Sequence, residues 1–162
     1  MGQAYRTGVI VAVIDSNAVD PLVDDEDVRE TIRAAIADGR LRLLSTHVTY
    51  DEIEATKDGA CRVALLTALS DFSEAVPTGA FVLNVSRLGM ARLSDDVEAF
   101  EEQRSGQSKH THDALIAVTA QYEGSFLVTH DKGMRRRAES AGIPVCDMRE
   151  LIDKLAEESR SS

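Results

Sequence analysis

Four acidic residues, widely separated in the chain, stand beside predicted strand ends or helix starts: Asp15, Glu52, Asp113 and Asp131. Carboxylates that converge without paired Arg or Lys repel one another, which raises their pKa values unless a cation lies among them. An oxygen-only ligand set suits Mg²⁺ or Mn²⁺ and not zinc. If these acids meet in the fold, they predict a site for a divalent cation, which would neutralise them.

Each acid alone also fits a plainer interpretation. Asp side chains commonly cap helices by accepting from free helical N–H groups, and each of these positions lies near a predicted helix start. The hypothesis of a shared site therefore depends on whether the fold brings the acids together.

The predicted elements supply such a fold. The segment Val9–Ile14 is apolar and rich in β-branched residues, the pattern of a central strand in a parallel sheet. Further strands are predicted near residues 41–46, 80–84, 125–129 and 143–146, with helices between them. We therefore predict an α/β fold: a three-layer α/β/α sandwich with a mainly parallel central sheet of about five strands. Such a sheet brings the carboxyl ends of its strands to one edge, where ligands bind.

The helices are predicted from apolar spacing and end signals. One lies around residues 28–36, and others are expected at about 60–75, 94–104, 111–124, 132–140 and 148–158. We expect a single domain over residues 1–162, with a core at about 9–148, the C-terminal helix at 148–158 and a frayed tail.

Composition limits the functional classes. The 162 residues carry a formal net charge of −10, whereas non-specific nucleic-acid binding depends on Lys and Arg that neutralise phosphates. An acidic nuclease must therefore bring cations to its site. The N-terminus lacks a signal-peptide pattern, no apolar run approaches membrane-spanning length, and Cys61 and Cys146 lack metal-ligand spacing. We expect a cytoplasmic protein with reduced thiols and no membrane association.

Four short motifs, in this order, resemble the acidic motifs of PIN-domain nucleases. They are Asp15-Ser16-Asn17 after the first strand, Glu52-Ile53, Asp113 at the head of the helix ALIAVTA, and Thr129-His130-Asp131. The order and context fit from about residue 9 to residue 148, nearly the whole chain. The resemblance predicts the PIN-like version of the sandwich described above.

The resemblance also implies a function. It predicts a metal-dependent endoribonuclease that uses Mg²⁺ or Mn²⁺, most often the VapC-type toxin of a type II toxin–antitoxin pair. RNA would be the substrate, with a 5′-phosphate and a 3′-hydroxyl as products, an antitoxin protein would be a partner, and the chain would form a homodimer. The catalytic and metal-binding residues carried over are Asp15, Glu52, Asp113 and Asp131.

Three supporting residues and one ambiguity follow from the same resemblance. Ser16 and Thr129 match hydroxyls that orient carboxylates or water, and Asn17 matches a polar partner of the first acid. Glu54 lies two residues after Glu52, so either could be the second acid. Glu52 is preferred because a branched apolar residue follows it, as in the family.

Basic and imidazole side chains flank the acids. Lys132, Arg135 and Arg136 share one helix face and are predicted to bind substrate phosphates, although a solvated face with Arg137 alongside explains them as well. Three histidines near the acids are compatible with a zinc or Mn²⁺ site or with a histidine base, but we expect them to be exposed or supporting residues: His110, His112 and His130.

Other functions remain to be compared. A haloacid-dehalogenase-like phosphatase needs an aspartate where Asn17 stands, and a response-regulator receiver needs one where the predicted third strand offers Asn84. The sequence therefore disfavours both classes. A non-catalytic PIN-like binding module and a stand-alone RNA-processing nuclease stay open as alternatives. Residues 84–108 match no family feature and could hold substrate or partner specificity.

Overall fold

The structure, a computed structural model, describes residues 5–6, 8–78 and 111–161. Its strands are β1 (Tyr5–Arg6), β2 (Val9–Ile14), β3 (Leu41–Ser45), β4 (Glu74–Ala75), β5 (Phe126–Val128) and β6 (Val145–Cys146). Its helices are α1 (Asp20–Asp24), α2 (Glu26–Ala37), α3 (His47–Glu54), α4 (Gly59–Phe72), α5 (Thr111–Glu123), α6 (Lys132–Ser140) and α7 (Met148–Arg160), and a short 3-10 helix spans Ser16–Ala18.

The sheet has the order β4-β3-β2-β5-β6, and all of these neighbours are parallel. Of the strands described, only β1 runs antiparallel, beside the start of β2. Val13 of β2 pairs with Leu44 on one side and with Leu127 on the other. The strand order therefore reverses at β2, and Asp15 follows that strand directly, at the topological switch point where α/β sheets bind ligands. The predicted mainly parallel sheet is confirmed.

Alternation along β2 divides the core into two layers, because successive strand side chains point to opposite faces. Ile10, Ala12 and Ile14 pack in a cluster with side chains of α2, α4 and α7. Val13 packs in a second cluster, which contains Leu115 of α5 and other side chains of α5 and α6. Helices thus cover both faces of the sheet, as the α/β/α prediction requires.

Two predicted boundaries were wrong. Helix α4 ends at Phe72 and not near residue 75, since the main chain turns there into β4 and pairs with Leu44 and Ser45 of β3. The Ser73 N–H still bonds the Leu69 carbonyl at 3.0 Å, while the Ser73 hydroxyl reaches Ser45 at 2.8 Å. The C-terminal helix continues to Arg160, so the predicted frayed tail is helical over residues 158–160.

The predicted strand at 80–84 and the predicted helix at 94–104 lie outside the described residues. Within the described part of the chain, no helix is both long and apolar enough to span a membrane.

Candidate active site

Asp15 is the centre of the candidate site. Its side chain is 3% exposed, because β2 ends in the middle of the sheet. Oδ2 accepts a hydrogen bond from the Thr129 hydroxyl at 2.8 Å, and Oδ1 accepts one from the Ser16 N–H at 2.8 Å. Both carboxylate oxygens of Asp15 are therefore held in fixed directions.

The pKa of the Asp15 carboxyl group depends on its burial and on the charges of nearby acids. Burial raises its pKa from the ordinary value of 3.8 to about 7, against the lowering effect of the Thr129 hydrogen bond. The negative charges of Glu52 and Asp113 raise the pKa further. Two of the other predicted acids thus lie close enough to Asp15 to act on its charge.

Glu52 points toward the first acid from α3. Its Oε2 accepts from the Ser16 hydroxyl at 2.5 Å, and its Oε1 lies 3.1 Å from His112 Nδ1. Glu54 is exposed, since residues two apart on a helix face different directions. The geometry supports Glu52 as the second acid.

Asp113 lies in the first turn of α5 and is paired with an arginine. Arg137 Nη2 donates to Asp113 Oδ2 at 2.9 Å, and the two side chains are 20% and 26% exposed. At this position an arginine supplies positive charge that the sequence argument expected from a bound cation.

Asp131 has a different local role. It caps α6, with Oδ1 accepting from the Met134 N–H at 2.8 Å, and it is exposed. Its own N–H donates to the Thr129 hydroxyl oxygen at 3.1 Å. Asp131 is therefore joined to Asp15 through Thr129.

Asn17 connects the first and last motifs. Its Oδ1 accepts from the His130 N–H at 2.9 Å and lies 3.4 Å from the Thr129 hydroxyl. The predicted supporting residues Ser16, Asn17 and Thr129 thus contact the acids or one another.

A family model decides the fold family of this chain. The PIN-domain model matches residues 12–140. The chain belongs to the PIN-domain family. Members of this family are generally nucleases, and they generally use divalent metal ions. A comparison with curated proteins finds no match.

Solved structures agree with the PIN-domain fold. VapBC2 from Rickettsia felis, bound to a promoter DNA fragment, is similar at a TM-score of 0.56 and 11% identity, covering 85% of this chain and 98% of that one. PAE2754 from Pyrobaculum aerophilum is similar at a TM-score of 0.56 and 20% identity, covering 92% and 98%. The PIN domain endonuclease Utp24 is similar at 0.54 and 16% identity, covering 86% and 85%. At these identities the likeness concerns the fold.

The donor set of this PIN domain suits a hard divalent cation. Asp15, Glu52 and Asp113 offer carboxylate oxygens, and the negative charges of Glu52 and Asp113 add to the effect of burial in raising the pKa of Asp15. Across the described residues, however, no three His, Cys, Asp or Glu side chains already stand in a metal-holding group. The three acids lie close enough for Glu52 and Asp113 to raise the pKa of Asp15. Their side chains, however, are bound by other groups: Asp113 by Arg137, Glu52 by His112 and the Ser16 hydroxyl, and Asp15 by the Thr129 hydroxyl.

The predicted phosphate-binding residues of the PIN domain separate into two groups. Lys132 and Arg136 are exposed on α6. Arg135 instead donates to Glu139 at 3.0 Å and to both carboxylate oxygens of Glu150 at 3.0–3.1 Å. These carboxylates neutralise the Arg135 guanidinium, which argues against its predicted role in substrate binding.

Sequence reasoning missed Arg137 as a site residue. It treated Arg137 as a neighbour on a solvated face, and no sequence spacing links it to Asp113. Of the histidines, His112 contacts Glu52, while His130 Nε2 accepts from the Met148 N–H at 3.4 Å, at the start of α7. His110 lies outside the described residues.

Proposed function

We propose that this PIN domain is a metal-dependent endoribonuclease that hydrolyses RNA phosphodiester bonds. One observation carries the proposal: three acids from distant segments converge at the end of the central strand, where burial first, and the negative charges of Glu52 and Asp113 in addition, raise the pKa of Asp15 to about 7. Such repulsion costs stability unless the site exists to hold a cation. Membership of the PIN family supports the same reading.

Asp15 and Asp113 are proposed as direct ligands of Mg²⁺ or Mn²⁺, with Glu52 and Asp131 acting directly or through water. When bound, one or two such ions supply Lewis-acid polarisation of the scissile phosphodiester and of the attacking water. The chain's own groups orient the ligands: Thr129 and the Ser16 N–H hold Asp15, and the Ser16 hydroxyl holds Glu52.

Substrate binding is proposed for Lys132 and Arg136, which are exposed on α6 directly after Asp131. Because the chain carries a net charge of −10, a local pair of cations matters more here than on a basic protein. Arg135 is left out of this set, as its guanidinium is bound by Glu139 and Glu150.

We further propose a VapC-type toxin, held inactive by an antitoxin protein and forming a homodimer in the cytoplasm. The four motifs support this assignment, and so does the fold likeness to VapBC2 from Rickettsia felis and to VapBC-1 from nontypeable Haemophilus influenzae, at TM-scores of 0.56 and 0.53. The likeness to the endonuclease Utp24 supports the alternative of a stand-alone RNA-processing nuclease.

The test is cleavage of a mixed set of structured and single-stranded RNAs with Mg²⁺, with Mn²⁺ and with chelator. We expect metal-dependent cutting that falls at least about 100-fold in Asp15→Asn, Asp113→Asn and Glu52→Gln, because each carboxylate contributes several kcal/mol to the charge balance of the transition state. Glu54→Gln is the matched control for Glu52→Gln and should cut like the wild type. Cutting that persists in chelator, or in Asp15→Asn, would refute the proposal.

A second candidate is a non-catalytic PIN-like binding module. The Arg137–Asp113 pair favours it, since an ion pair at a ligand position suits a site that holds no metal. Equal inertness of wild type and variants toward every RNA, with no metal binding by calorimetry, would support the module over the nuclease.

A further inference from the structure

Arg137 occupies a position that the proposed function does not use. It reaches from α6 to Asp113 in the first turn of α5, and its guanidinium makes one hydrogen bond there, at 2.9 Å. A guanidinium has five N–H donors in a planar fork, so most of its donor capacity stays available for a phosphate.

Gly133 makes room for this guanidinium. A Cβ atom at residue 133 would lie 3.1 Å from Asp131 Oδ1 and 3.3 Å from Arg137 Nη1, closer than side-chain contacts normally are. The space that a side chain would fill is thus bordered by the fourth acid on one side and by the guanidinium on the other. Arg137 therefore contacts Asp113 and lies close to Asp131, two members of the acid set, by which we mean Asp15, Glu52, Asp113 and Asp131.

The neighbouring Arg135 shows what a purely structural arginine looks like on the same helix. Arg135 binds Glu150 with two nitrogens and Glu139 with a third, and Glu150 belongs to the cap of α7. Among the residues that the structure describes, Arg137 has one hydrogen-bonding partner, and this acceptor is a predicted metal ligand. A singly bonded, partly exposed ion pair is weak enough to be exchanged.

We propose that Arg137 is an exchangeable counter-cation of the acid set: it neutralises Asp113 while no divalent cation is bound, and it donates to an RNA phosphate once a cation takes its place. The first half concerns charge alone, whereas the second half rests on the proposed nuclease function. Arg137 is therefore a positioning residue in the metal-free protein and a substrate contact in the loaded one.

The first half is tested by Mn²⁺ titration calorimetry on the full chain. Arg137→Gln should tighten Mn²⁺ binding about 3- to 10-fold, because Asp113 loses a competing partly buried charge-assisted pair. Arg136→Gln is the matched control: it removes the same charge from the next, exposed residue and leaves the Arg137–Asp113 pair in place. Its Mn²⁺ affinity should change less than about 2-fold, since solvent and salt screen an exposed charge. Arg137→Lys, which keeps the charge, should lie between wild type and Arg137→Gln.

Equal affinities in Arg137→Gln and Arg136→Gln, or weaker Mn²⁺ binding in Arg137→Gln than in wild type, would overturn the counter-cation role. Circular dichroism melts of each variant show whether the fold is kept, and Arg137→Lys carries the test if Arg137→Gln does not fold. These results do not depend on cleavage, so they stand even if the protein proves not to be a nuclease.

The second half is tested in chelator with a fluorescently labelled single-stranded RNA. Asp113→Asn frees the guanidinium and should tighten RNA binding several-fold, and the double variant Asp113→Asn with Arg137→Gln should lose most of that gain, whereas Arg137→Gln alone changes little. Such coupling is what a double-mutant cycle measures. A gain that is the same with and without Arg137, or an absence of RNA binding in all four proteins, would refute the phosphate contact.

Discussion

At the scale of single residues, the carboxyl group of Asp15 decides the chemistry of the site. It is buried at the end of a central strand, so its ionised form lacks the solvation that an exposed aspartate has, and Glu52 and Asp113 repel that form further. The Thr129 hydroxyl and the Ser16 N–H oppose these effects by donating to the two oxygens. The balance keeps Asp15 largely protonated below neutral pH in the metal-free protein.

This balance predicts how stability depends on pH. Unfolded Asp15 ionises near 3.8, whereas folded Asp15 keeps its proton to about pH 7, so in that window the folded state binds more protons and stability falls as pH rises. In chelator, Asp15→Asn should therefore raise the Tm relative to wild type at pH 8, by roughly 3–8 °C, and have much less effect at pH 5.

The measurement is a thermal melt at both pH values, with Asp153→Asn as a control for the loss of one exposed negative charge on α7. At pH 8, added Mn²⁺ should raise the Tm of wild type and leave that of Asp15→Asn nearly unchanged. A stabilising effect of Asp15→Asn that is equal at pH 5 and pH 8 would contradict the raised pKa.

At the scale of elements, two arginines of α6 that are two residues apart form ion pairs with two different helices, α7 and α5. Arg135 reaches Glu150, which forms a capping box with Asp147 at the start of α7. Arg137 reaches Asp113 at the start of α5. Residues two apart on a helix point in different directions, so α6 contacts α7 through Arg135 and α5 through Arg137.

The two-sided use of α6 predicts separate effects for neighbouring arginines. Arg135→Gln should lower the free energy of unfolding by about 1 kcal/mol, because a partly exposed ion-pair network between α6 and α7 is lost. Arg136→Gln should leave stability unchanged within about 0.5 kcal/mol and raise the KM for RNA. Urea unfolding and steady-state cleavage measure the two quantities. An Arg135→Gln variant with unchanged stability and weakened RNA binding would return Arg135 to the substrate-binding set.

At the scale of the whole molecule, the negative net charge disfavours RNA binding, whereas the sheet topology creates a place where cations can favour it. A net charge of −10 repels RNA, whereas the switch point at β2 collects acids into a place where cations can be held. RNA binding should then depend on a few local contacts and not on a broad basic surface.

This expectation can be tested through the salt dependence of turnover. With Lys132, Arg136 and Arg137 as the phosphate contacts, the plot of log kcat/KM against log KCl at fixed Mg²⁺ should have a slope of about −2, at roughly −0.7 per contact on a single strand. Steady-state kinetics on one RNA across a KCl series provide the slope. A slope steeper than about −4 would mean that further basic residues, beyond these three, contact the substrate.

Local patterns in the sequence were sufficient to predict the fold and to place Asp15, Glu52 and Asp113 at one edge of the sheet. An unbroken apolar run before Asp15 predicts a strand buried on both faces, and the alternation of such runs with helices predicts a parallel sheet with its carboxyl ends at one edge. The positions of β2, β3, β5 and β6 follow, as does the proximity of Asp15, Glu52 and Asp113. Strand β4 was not predicted, because a two-residue strand carries almost no pattern of its own.

Only the tertiary structure decided how the charges around the acids are paired. The Thr129–Asp15 bond joins residues 114 apart in the chain, and the Arg137–Asp113 pair joins residues 24 apart on two helices. The sequence shows only that α6 carries four basic residues, Lys132, Arg135, Arg136 and Arg137, and does not show their partners. Which of them neutralises an acid depends on how α6 is rotated against α5 and α7, and that rotation is set by packing of the core and not by spacing along the chain.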